Sequence, residues 1–112
     1  MTRIVVIAKA SQTVLKDTQA SKINLMQPSY VQVAISKEDV ASLTRSGNNC
    51  ISLLKNGQKI IIENFFVEGI EESHTLLFYG EHNEYALARF DINGTCIDYT
   101  PVNENLQIIN SA

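Results

Sequence analysis

Apolar residues along this chain recur in short runs with a period near two. No stripe at i, i+3, i+4 extends over about ten residues, so no long helix is expected. Ile4 to Ala8 is a continuous apolar run and predicts the first strand. Thr13 to Leu15 can pair back on it after the Ala10-Ser11-Gln12 bend. Pro28 then precedes Ser29-Tyr30-Val31-Gln32-Val33-Ala34-Ile35, where Val31, Val33 and Ile35 alternate with Tyr30, Gln32 and Ala34. That alternation predicts a half-buried strand with a proline at its start, where a missing N–H does least damage. Ser36-Lys37-Glu38-Asp39 is a polar break suited to a short helical turn, because Ser36 and Asp39 are both good N-cap residues.

The centre of the chain reads as a meander. Val40–Arg45, Cys50–Lys55 and Gln58–Asn64 are predicted strands, separated by the Ser46-Gly47-Asn48-Asn49 cluster and by Asn56-Gly57. Asn-Gly between apolar runs predicts a tight hairpin, expected as a type I′ turn with positive φ at both Asn56 and Gly57. That hairpin sets Cys50–Lys55 against Gln58–Glu63. The second half repeats the plan, with strands at Thr75–Tyr79, Glu84–Phe90 and Thr95–Thr100. Turns are expected at Gly80–Asn83 and at Asp91-Ile92-Asn93-Gly94, Pro101 is expected to end its strand, and Leu106–Ile109 is expected as the last one. The fold class is therefore all-β: an antiparallel sandwich or small barrel of about eight to ten short strands, immunoglobulin-like in general plan.

The segment from Ile60 to Val67 stands out. Ile60 and Ile62 are predicted to face one side of their strand, and Lys59, Ile61 and Glu63 the other. Phe65 and Phe66 then leave the strand as a corner that plugs the end of the core. Burial is the expected fate of such side chains, since hiding each contributes about 1.5–3 kcal/mol. The competing reading is a surface that meets another chain. Ile61, Phe65, Phe66 and Val67 are its candidate contact residues, in a segment able to add a strand to a neighbour.

Composition narrows the function. With 112 residues, 45% of them hydrophobic and 19% charged, the chain can build one core, and residues 1–112 are read as a single β domain. A net charge of −3 and nine scattered Lys and Arg residues argue against nucleic acid as a partner. No apolar run approaches the roughly 20 residues of a membrane span. The run at Ile4–Ala8 is also too short for the core of a secretory signal, so no cleavable export signal is expected.

Catalytic chemistry finds little support. His74 and His82 fall in predicted loops, and Glu81-His82-Asn83-Glu84 has the composition of a solvated hairpin tip. Ser11, Ser21, Ser46 and Ser73 lack the strand–elbow–helix setting that activates a serine. Glu38-Asp39, Glu71-Glu72 and the Glu81/Glu84 pair have no apolar surround that would raise a carboxyl pKa. Asp91-Ile92-Asn93-Gly94 is a turn rather than a calcium loop, and Tyr30, Tyr79, Tyr85 and Tyr99 suit cross-strand packing. No enzyme activity, cofactor or metal is expected. Cys50 and Cys96 are predicted to sit in strands as buried or half-buried thiols, bridged only if those strands neighbour each other.

These segments together carry a resemblance. Arg3-Ile4-Val5-Val6-Ile7-Ala8-Lys9, Pro28-Ser29 leading into Val31 and Val33, Glu38-Asp39-Val40-Ala41-Ser42-Leu43-Thr44-Arg45, and Leu54-Lys55-Asn56-Gly57-Gln58 running on to Glu63-Asn64-Phe65-Phe66 resemble the amino-terminal prefix domain of BapA/Bap-type biofilm-associated proteins. The match by motif covers residues 3 to 67. Cys50 and Gln58 depart from the residues expected there.

The resemblance implies a non-enzymatic module opening a very large type I secreted adhesin, exported by a carboxy-terminal signal to the bacterial cell surface. It implies a role in biofilm formation through envelope or secretion-channel retention, or through self-association. A small stand-alone cytosolic β-sandwich that binds a peptide or ligand is the alternative.

Overall fold

The computed structural model describes residues 2–66, 74–80, 85–91 and 95–102. They form β1 (Arg3–Ala8), β2 (Val14–Gln19), β3 (Lys22–Asn24), β4 (Ser29–Val33), β5 (Val40–Ser46), β6 (Asn49–Leu54), β7 (Lys59–Glu63), β8 (Thr75–Tyr79), β9 (Tyr85–Phe90) and β10 (Cys96–Val102). A six-stranded sheet runs β10-β9-β8-β4-β1-β2, and a four-stranded sheet runs β3-β7-β6-β5. Both contribute to one core, Val6, Val31, Leu76 and Phe78 from the first and Ile23, Leu43, Ile60 and Ile62 from the second. The fold is an all-β sandwich, as the alternation of apolar positions predicts.

The two sheets are mixed rather than wholly antiparallel. β3 pairs with β7, and β4 with β8, in parallel. Hairpins force antiparallel neighbours, whereas a parallel pair needs a long crossover. Here β5, β6 and β7 are that crossover for β4 and β8. Between β4 and β5 the polar break forms a 3₁₀ turn at Lys37–Asp39, where the Ser36 hydroxyl donates to the Glu38 carboxylate rather than capping a backbone N–H.

The Asn56-Gly57 turn closes β6 on β7 with Ile51 opposite Ile61 and Ser52 opposite Ile60. It is not type I′. Gly57 has φ +93°, whereas Asn56 is not among the positive-φ residues. Gly57 N–H donates to Leu54 O at 2.9 Å and Leu54 N–H to Gln58 O at 2.8 Å. This is a three-residue loop, a type I turn closed by a glycine bulge. Asn56 Oδ1 also accepts from Gln58 N–H at 2.9 Å, which holds Asn56 in place by its side chain. Asn93 and Gly94 lie outside the described residues, but their flanks are joined by Asp91 N–H to Thr95 O and Thr95 N–H to Asp91 Oδ1, both 2.9 Å.

Other differences follow from strand position. β2 runs on to Gln19, because the Arg3 guanidinium grips the Asp17 carboxylate at 2.8 and 2.9 Å and a polar edge strand needs no apolar alternation. β3 carries a single buried residue, Ile23, too little to announce a strand. β4 stops at Val33, and Ile35 N–H turns back to Val33 O at 2.8 Å. Pro101 does not end its strand. It pairs with Ala86 inside β10, which among the described residues has β9 alone beside it, so a missing N–H leaves no ladder partner stranded. The expected strand at Leu106–Ile109 lies outside the described residues.

Among the described residues, one buried side-chain polar atom lacks a partner. Ser52, 1% exposed in the middle of β6, has an Oγ with no hydrogen bond. A buried unsatisfied hydroxyl costs about 1–3 kcal/mol. Ser52→Ala is therefore expected to stabilise the domain by about 1 kcal/mol, seen as a higher urea midpoint at unchanged m-value.

Candidate interaction surface

In β7 the side chains divide as the alternation predicts. Ile60 and Ile62 are fully buried, while Ile61 is half-exposed on the outer face. Its cross-strand neighbours are Ile51 on β6 and Lys22 on β3. Leu53, two residues on from Ile51 on the same face, is also half-exposed. Ile51, Leu53 and Ile61 thus form a small apolar centre on the outer face of the four-stranded sheet. Lys59, Thr44 and the Lys22–Glu63 pair (3.9 Å) surround it.

The position of β7 excludes one mode of contact. It lies between β3 and β6, so both its edges are hydrogen-bonded. It cannot add a strand to a neighbouring molecule, and any contact through Ile61 is made by the sheet face. Phe65 lies in the core. It is 3% exposed, and its ring packs edge-on against Phe66 at 5.0 Å and Phe90 at 5.5 Å. Phe66 is half-buried, with the Arg45 guanidinium 5.1 Å above its ring. Val67 lies outside the described residues.

The corner that swings Phe65 inward is built by asparagines. Asn64 has φ +61°, a left-handed conformation that asparagine tolerates better than most residues. Its Nδ2 donates to Asn24 Oδ1 at 2.7 Å, and its N–H donates to Asn49 Oδ1 at 3.3 Å. Phe66 N–H then reaches Asn48 O at 2.9 Å. Three strands of one sheet therefore hold the bend that places two aromatic rings at the end of the core.

His74, a loop residue by sequence, is 9% exposed, and its Nδ1 accepts from Ser29 N–H at 3.2 Å. The imidazole faces Phe65 with centroids 6.0 Å apart. Burial, helped by the charge of Lys9, holds its pKa below the ordinary value, against a hydrogen bond with the Asn64 backbone that favours the charged form. The ring is a neutral brace between β4, β8 and the Asn64 corner. No alternation signal marks it, since its burial depends on segments distant in sequence. His82, Glu81 and Glu84 lie outside the described residues, as do Glu71, Glu72 and Ser73.

The four tyrosines make separate contacts. Tyr79 and Tyr85 stack at 5.4 Å, Lys9 sits over Tyr30, and Tyr99 turns inward against Phe78. A cleft of about 400 Å³ opens between β2 and the segment after β3, lined by Val6, Leu15, Leu25 and Met26 with Lys16 and Ser29. Val14, Leu15 and Met26 beside it remain exposed at 56%, 47% and 92%. This surface was not legible in the sequence, because it depends on two sheet edges meeting. Among the described residues no group of three or more His, Cys, Asp or Glu side chains is placed to hold a metal ion.

Phe65→Ala is expected to cost about 3–5 kcal/mol in a denaturant titration, through lost burial and a cavity among Phe66, Phe90 and His74. His74 generates a pH dependence. Its folded pKa is depressed, so the unfolded chain binds the proton first as the pH falls below about 6.5. Stability is full above that value and declines as the pH drops towards the folded pKa. Thermal melts of His74→Gln should lose this part of the acid sensitivity, whatever their absolute midpoint.

The family model for the BapA prefix-like domain matches residues 1–111. No curated protein and no solved structure matches the chain. The matched span holds both sheets, the Asn64 corner and the Ile61 face, and the chain belongs to the BapA prefix-like domain family.

Proposed function

We propose that this chain is a single, non-enzymatic β domain at the amino terminus of a large bacterial surface adhesin. It serves biofilm formation through envelope retention or through contact between chains. The observation that carries this reading is the family match over residues 1–111, since the prefix-like domain is the amino-terminal module of BapA-type adhesins. On this reading the protein reaches the cell surface by type I secretion.

The outer face of the four-stranded sheet supports chain–chain contact. Ile51, Leu53 and Ile61 form a compact apolar centre with a charged and polar margin, the anatomy of a small interface.

An immunoblot of fractionated native cells, with an antibody against this domain, tests the reading. A surface band of very high mass, lost when the type I exporter is deleted, is the expected result. A band near 12.5 kDa in the cytosol would overturn it in favour of a small ligand-binding sandwich. Ile61→Lys is expected to abolish self-association in analytical ultracentrifugation while leaving the melt cooperative, because a half-exposed lysine keeps its ammonium in water. Unfolding of that variant would place Ile61 in the core and remove it as a contact residue.

A further inference from the structure

The two cysteines sit on strands of different sheets and share one core. Cys50 points inward from β6 and is fully buried. Cys96 begins β10 and packs against the same core cluster. A path of contacts places them at one end of the sandwich. Arg45, opposite Cys50 on β5, lies over the Phe66 ring. Phe66 meets Phe90 at 5.2 Å, and Phe90 is the cross-strand partner of Cys96.

The inward direction of Cys96 is a built feature. Tyr99 also faces inward, against Phe78. Residues three apart in a regular strand point to opposite faces. The register of β10 on β9 shifts between Cys96 and Asp98, and that bulge turns Cys96 to the same side as Tyr99. The Cys96 thiol donates to Asp98 O at 3.6 Å, and burial first, then the nearby Cys96 and Cys50, push the Tyr99 hydroxyl up to about 12. One thiol from each sheet therefore lies near the partly buried Tyr99 ring on the inner side of the sandwich, where immunoglobulin-type domains carry an inter-sheet disulfide.

We propose that Cys50 and Cys96 are the two halves of a disulfide that joins the sheets when the folded domain meets an oxidising disulfide. The exchange balances with a small-molecule disulfide such as oxidised glutathione. The more accessible Cys96 gives up its proton and attacks one sulfur of the reagent, releasing one glutathione thiol. Cys50 then gives up its proton and displaces the second glutathione from Cys96. The protein loses two hydrogens and two electrons, and the reagent becomes two thiols. Burial pushes the Cys50 thiol up to about 12 and raises Cys96, so the exchange is slow at neutral pH and quickens as the pH rises.

The test is oxidation of the folded, reduced 112-residue chain with oxidised glutathione, without denaturant, followed by unfolding and alkylation. The expected product is a monomer lighter by two hydrogens that takes no alkyl group, yields a linked Cys50–Cys96 peptide and melts roughly 10 °C higher. Thiols that still alkylate, glutathione retained on either cysteine, a bridge obtained only in denaturant, or a lower melting point would each overturn the proposal. Cys96→Ser leaves the buried Cys50 in place and supplies the second measurement. It should melt near the reduced wild-type value and gain nothing from the oxidant, and an equal gain would overturn the proposal.

Discussion

The sandwich depends on the burial of one face of β7. Ile60 and Ile62 are fully shielded, and the strand that carries them is hydrogen-bonded to β3 on one side and β6 on the other. Because side chains alternate across a strand, a one-residue slip would expose both isoleucines and bury Lys59, Ile61 and Glu63 instead. The cost of that exchange, several kilocalories per mole by apolar area and more for the charges, specifies the register of the whole four-stranded sheet. The Lys55-Asn56-Gly57 loop secures the same register locally.

From β7 the constraint passes to the end of the core. The chain leaves the strand through Asn64, whose left-handed backbone is held by Asn24 and Asn49. Phe65 enters the core only because this bend is made, and Phe66 follows against Phe90. His74 then joins the corner to the first residue of β4. The six-stranded sheet is thus fastened to the four-stranded one by aromatic packing and a neutral imidazole at this end. Cys50 and Cys96 lie at that same end.

The outer surfaces are distinguished by how their edges are treated. β2 answers the exposure of an edge strand with Lys16, Asp17 and the Arg3 ion pair, yet leaves Val14 and Leu15 uncovered beside a cleft. The four-stranded sheet shows an apolar centre at Ile51, Leu53 and Ile61 within a polar margin. Both surfaces belong to a chain of the BapA prefix-like domain family.

The sequence by itself determined the class of fold and the inward faces of the main strands. Alternation at Val31 and Val33, the isoleucines of β7, and turn residues at Asn56-Gly57 are local signals, and local sterics are enough to interpret them. The family resemblance was legible for the same reason, being carried by contiguous strands and turns. Tertiary structure decided what depends on residues distant along the chain. It made β3 a strand, since a lone Ile23 gains a partner only when β7 arrives in parallel. It let Pro101 remain in β10, since among the described residues β10 is the outermost strand of its sheet. It buried His74, closed β7 on both edges so that Ile61 presents a face and not a strand, and brought Cys50 and Cys96 to one end of the core. Each outcome turns on which sheets and edges meet, and period-two patterning carries no information about that.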